Sequence, residues 1–185
     1  MRNLPYQDLA RAVVPLHVVA TDVLSGKPVV LSSGPAADAI VASCAIPAAF
    51  APVRVGQHYL VDGAITSNTP VRVAVGLGAT RLIVLPTGFA CALETPPRGA
   101  VASALHAVTL LIARQLVAEL ERLDASIDFA IVPTLCSLSG SPYDFSRTGV
   151  LLDTAAASAE SWLRSGGLDR REIPDELRAH HHGPA

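Results

Sequence analysis

Short β-prone runs and Ala/Leu-rich stretches of helical length take turns along this chain, and that alternation limits its fold more than any other feature. Val13 to Ala20 (interrupted by His17), Val29 to Leu31, Val53 to Val55, His58 to Val61, Arg81 to Leu85 and Ile127 to Val132 read as strands. Pro35 to Ala42, Thr69-Pro70 to Gly76 or Gly78, Ala100 to Leu123 and Ser146 to Ser165 read as helices. Thr69 suits an N-cap, and proline fits a first helical turn. Gly56-Gln57 between two β-prone runs predicts a hairpin of type II′. Phe89 to Gly99 reads as a loop, and Gly140 to Asp144 as a turn cluster. The pattern predicts an α/β fold with a largely parallel sheet, without internal repeats. One domain is expected over residues 1–165, followed by a charged, flexible tail over 166–185.

Composition narrows the function. Half the residues are hydrophobic but only 4% are aromatic, so the apolar mass is Ala, Val, Leu and Ile. Binders of carbohydrate or single-stranded nucleic acid need more rings for stacking. The net charge of −2, with no basic cluster, leaves no electrostatic footprint for nucleic acid. Cys44, Cys91 and Cys136 are odd in number and widely spaced, which fits a reducing, cytoplasmic setting rather than a disulfide framework or metal knuckle. The first eight residues lack the apolar stretch of a signal peptide. The apolar run Ala100 to Ala113 is shorter than the ~20 residues a membrane span needs. It reads as a helix buried on one side and wet toward its end, leaving peripheral membrane contact open.

One acid stands out. Asp62 follows a buried-looking strand in Val61-Asp62-Gly63-Ala64. Ligands of open α/β sheets gather outside the carboxyl ends of strands, where a partly buried carboxylate can act as a base. Asp-Gly is also a common turn pair, and taken alone the stronger reading is an aspartate capping its own backbone.

The surrounding order changes that balance. Ala42-Ser43-Cys44-Ala45-Ile46-Pro47, Phe50, Pro52, a short hairpin, Asp62-Gly63-Ala64, Asn68-Thr69-Pro70 and Leu77-Gly78-Ala79 follow one another between Ala42 and Pro86. This set resembles the patatin-like phospholipase family. Val19-Ala20-Thr21-Asp22 with Ser25-Gly26, and Asp144-Phe145-Ser146 with the helix near Trp162, extend the resemblance over about residues 13–165. It implies a three-layer α/β/α domain that hydrolyses acyl esters of lipids through a Ser–Asp dyad, without metal or organic cofactor. Asp62 would be the proton acceptor, within a motif of Asp62, Gly63 and Ala64.

The nucleophile is missing. The family's serine sits in a G-x-S-x-G elbow, and no two glycines of this chain lie four positions apart. The Gly-rich oxyanion loop is absent as well. The chain therefore reads as the second part of the domain, truncated on its N-terminal side and inactive alone. Strands left without neighbours would expose an apolar sheet edge prone to self-association. The rivals are a non-catalytic lipid- or membrane-binding module and an interaction subunit completed by another chain.

Other candidates weigh less. Ser32 or Ser33, and Ser139 or Ser141, lack an elbow's glycines. His58, four residues before Asp62, would share its side of a straight strand, though an exposed hairpin histidine is the plainer reading. His17 and His106 read as satisfied core histidines, and Cys44 as a small packing residue. His180, His181 and His182 make a weak metal site without an acid or thiol partner. Arg54 and Arg72 flank the Asp62 segment and could meet a lipid phosphate, but read first as surface charges.

Overall fold

A computed structural model describes residues 4–47, 49–86, 96–136 and 145–178. The chain divides at Pro70 into two compact units, where the sequence reads as one domain.

The N-terminal unit is a four-stranded antiparallel sheet. Strand β1 (Val18–Asp22) pairs with β2 (Pro28–Leu31), helix α1 (Ala36–Ser43) follows, and the hairpin of β3 (Val53–Val55) and β4 (His58–Asp62) completes the order β2-β1-β4-β3. Gly56 turns the hairpin at φ +59°, the left-handed value a primed two-residue turn asks of its first position. The predicted β1 lies too early. Val13 is fully exposed, and Pro15 has no N–H for a ladder, so pairing starts at Val18. From Val19 to Asp22 β1 is buried on both faces.

This core is made of small residues. Ala20 and Ala42 pack with Leu60, while Leu9 packs with Ala36 and Ala39. Small side chains bring α1 close to the sheet. Asp8 ties the entry segment down, accepting from the amides of Ala10 and Gly34, each at 2.9 Å. A single turn of helix, α2 (Ala64–Ser67), ends the unit, without a separate signal in the chain beside Thr69-Pro70.

The C-terminal unit begins with α3 (Val71–Gly76) and β5 (Arg81–Val84), continues through α4 (Ala100–Glu121) and β6 (Asp128–Ile131), and ends its regular structure with α5 (Thr148–Arg164). Here β5 and β6 pair in parallel, in register from Arg81↔Asp128 to Val84↔Ile131, with α4 in the crossover. The α/β class stands. Parallel pairing, however, is confined to β5 and β6 among the described strands: short turns make β1–β2 and β3–β4 antiparallel, and β1 also meets β4 antiparallel across the intervening α1.

Larger apolar side chains fill this second core: Leu82, Val84, Leu116, Leu120, Phe129 and Ile131, joined by Leu177. Helix α4 contributes its C-terminal half. Its earlier positions Val108, Leu110 and Leu111 are exposed, the reverse of a helix that becomes wet toward its end. Ala102–Glu121 is long and apolar enough to cross a membrane by length and composition, since the apolar pattern resumes after Arg114. Beyond Gly166 the expected tail instead makes two 3-10 turns, Gly167–Asp169 and Asp175–Leu177, which seat Leu177 in the core. Of the loop read over Phe89 to Gly99, residues 89–95 lie outside the described residues, as do the turn cluster Gly140 to Asp144 and His180 to His182.

Candidate functional site

Asp62 is the last residue of β4, half-buried, opposite Ala20 of β1. Its backbone is held on both sides. Asp62 N donates to Ala45 O at 2.9 Å, and Asp62 O accepts from the Thr21 hydroxyl at 3.0 Å. The following amide, Gly63 N, donates to Ser43 O at 3.4 Å. The strand end is thus tied to the C-terminal end of α1, which fixes where the carboxylate leaves the sheet.

Space explains Gly63. Its φ of −63° and ψ of −22° are open to any residue, so backbone freedom is not the reason. A Cβ there would stand 2.4 Å from Val19 O. That oxygen cannot readily move away, because the Ser43 hydroxyl donates to it at 2.7 Å. Only glycine lets α2 start this close to β1.

The carboxylate has two differently placed oxygens. Oδ1 accepts from Ala64 N at 2.8 Å, the backbone-capping bond typical of a turn aspartate. Oδ2 takes no hydrogen bond from a described residue. One oxygen therefore sets the rotamer while the other is left without a described donor. Around the site, the hydroxyls of Thr21 and Thr66 are 2.9 Å apart. Ser67 Oγ is buried without a partner among the described residues, a costly state for a hydroxyl. Sequence reasoning missed Thr21, Ser43 and Ser67, because their roles depend on α1 and α2 meeting β1.

His58 is not paired with Asp62. It is exposed, and its Nδ1 lies 3.6 Å from Oδ2 of Asp22. The Ser25 hydroxyl, donating to Asp22 Oδ2 at 2.7 Å, does most to lower the Asp22 pKa; Leu24 N and His58 add to this against the opposing effect of burial. This cluster closes the β1–β2 turn.

The remaining candidates scatter over the surface. Arg54 is exposed, its guanidinium 5.9 Å from the Tyr59 ring centroid, and Arg72 is exposed beside Glu119. Cys44 is exposed rather than packed. His17 is exposed too, with Nδ1 2.7 Å from Ser32 Oγ, because a residue just before β1 faces outward; His106 is half-buried. Ser33 is exposed, while Ser139, Ser141 and Cys91 lie outside the described residues. No group of three or more His, Cys, Asp or Glu among the described residues could hold a metal ion.

Comparison with known proteins now bears on this geometry. Residues 9–75, which include β1, α1, β4 and Asp62, match the model of the patatin-like phospholipase family. Over these residues the chain resembles the patatin-like family. Its relatives include proteins described as uncharacterized NTE family proteins of Mycobacterium bovis and of two strains of Mycobacterium tuberculosis. Each is 40% identical over 72 residues, which is 39% of this chain and 20% of the relative. The chain thus matches about a fifth of the length of these relatives.

Proposed function

We propose that this patatin-like chain supplies the base half of a Ser–Asp acyl-ester hydrolase. Asp62 takes the proton of a serine that is not among these 185 residues. The observation that carries the reading is the asymmetry of the Asp62 carboxylate: Oδ1 is held by Ala64 N, while Oδ2 is left without a described donor. Gly63, with no room for a side chain, keeps that orientation fixed. Activated by Asp62, the serine would attack the ester carbonyl, and water would then hydrolyse the acyl-enzyme. Donors for the oxyanion would also come from outside the chain. The substrate class is a phospholipid or neutral-lipid ester, met in the cytoplasm or at a membrane surface.

The test is complementation. Adding a polypeptide that bears the Gly-x-Ser-x-Gly segment should yield turnover of a short-chain ester. Asp62→Asn should then lower kcat by about 10³-fold or more with little change in KM, as expected for an interaction made mainly in the transition state. Full turnover with Asp62→Asn would remove Asp62 from the chemistry.

A second reading is a non-catalytic lipid-binding module. The exposed Val108, Leu110 and Leu111 on α4 favour it. Flotation of the chain with phosphatidylcholine vesicles, lost in Leu110→Ser/Leu111→Ser, together with no turnover in the complementation assay, would support this reading over the first.

A further inference from the structure

The C-terminal unit holds a half-open cleft of about 340 Å³, a volume within the range of about 300–1,000 Å³ common for small-molecule sites. It lies at the carboxyl end of β6, where Ile131 and Pro133 form part of its wall. In parallel α/β sheets this end of a strand is where ligands collect. All its lining residues belong to the C-terminal unit.

Its lining has a particular chemistry. Trp162, the chain's only tryptophan, is half-buried and presents an aromatic surface. Its indole occupies the space that a side chain at Gly167 would need, so the ring is seated by the turn after α5. Against it stand three carboxylates, Glu172, Asp175 and Glu176, and one cation, Arg170. The Arg170 guanidinium is largely engaged: it donates to the carbonyl and hydroxyl of Ser165 and lies 3.8 Å from Glu172. Asp175 and Glu176 have no ion pair among the described residues. The lining therefore keeps an excess of negative charge beside an indole face.

An aromatic face with uncompensated carboxylates attracts a positive charge carried on an apolar body, and offers little to an anion. We propose that this cavity binds a small organic cation, an alkyl- or quaternary ammonium group, free or borne on a lipid. The indole receives the apolar ammonium face, and Asp175 and Glu176 balance its charge.

Trp162, as the only tryptophan, is also the reporter. Choline should change its fluorescence saturably at concentrations up to about 10 mM. The neutral isostere 3,3-dimethylbutan-1-ol should not. Titration calorimetry with Asp175→Asn/Glu176→Gln should show choline binding about tenfold weaker, with the unfolding midpoint checked to confirm the fold. Phosphatidylcholine vesicles present the same group on a lipid. A response to choline, or to the vesicles with loss in the double variant, upholds the cation site and names its source. Silence with both, an equal response to the neutral alcohol, or unchanged affinity in the folded double variant overturns it.

Discussion

The two units reach stability by different means. In the N-terminal unit, Ala20, Ala36, Ala39 and Ala42 let backbone approach backbone, and buried Thr21 and Asp22 are held by hydrogen bonds. Its geometry is set by contacts that leave little room, with Gly63 against Val19 O as the tightest. In the C-terminal unit, Leu82, Val84, Leu116, Leu120, Phe129 and Ile131 bury volume around a parallel pair. Both units leave apolar side chains outside: Val13 and Leu24 in the first, Ile83, Leu111 and Leu152 in the second. The lesson is that the candidate catalytic residue belongs to the unit whose small residues bring helix and strand backbones together. A base that must meet a hydroxyl within hydrogen-bond reach needs that precision.

Substitutions can break this contrast. The largest effect is expected in the C-terminal unit, where Phe129→Ala should cost about 4 kcal/mol through lost transfer energy and an unfilled cavity. Hydrogen exchange should show the loss at the amides of β5 and β6. Equal loss of protection in β1 and β4 would show that the two regions are not energetically separate. Next comes Gly63→Ala, at about 3 kcal/mol, from a methyl group forced against Val19 O. Its effect should fall on β1 and β4, and a neutral result would refute the steric account of Gly63. Thr21→Val keeps the shape but removes the donor to Asp62 O, and should cost about 1 kcal/mol in urea unfolding.

Acid should separate the units most finely, because two carboxylates respond with opposite sign. The Asp22 pKa is lowered below 3.8, chiefly by the Ser25 hydroxyl, so its contribution is present above that value and is lost as pH falls through the lowered pKa. Asp22→Asn should abolish that acid loss. The Glu119 pKa is raised above 4.5, chiefly by desolvation, with Arg72 opposing. Its charged form is penalised at neutral pH, and stability returns as pH falls through the raised pKa toward 4.5. Glu119→Gln should remove this gain on acidification. Unfolding midpoints from pH 7 to pH 3 check both signs.

Much of this was legible in the chain because the signals were local. Gly56-Gln57 placed the β3–β4 hairpin, Thr69-Pro70 placed α3, and the apolar stretch from Ala100 placed α4. Asp62 was visible through its neighbours rather than through itself, since Asp-Gly alone reads as a turn and the bond from Ala64 N shows that it does cap one. Other features depended on distant partners. Antiparallel order in the first sheet follows from β1 pairing with both β2 and β4, a tertiary choice that alternation of strands and helices does not reveal. Leu177 stands in a charged stretch, and only packing with Leu116 and Leu120 of α4 and their neighbours turns it into a core residue. His17 was misread because its apolar neighbours Leu16 and Val18 both turn to the core, while the residue between them turns outward.

The central claim is that this chain holds the base of the dyad but no nucleophile. The most direct measurement is the intact mass of the 185-residue chain after exposure to a fluorophosphonate. The account predicts an unchanged mass and no ester turnover. A single phosphonyl adduct on any serine of the chain, formed in step with turnover and lost with Asp62→Asn, would contradict it.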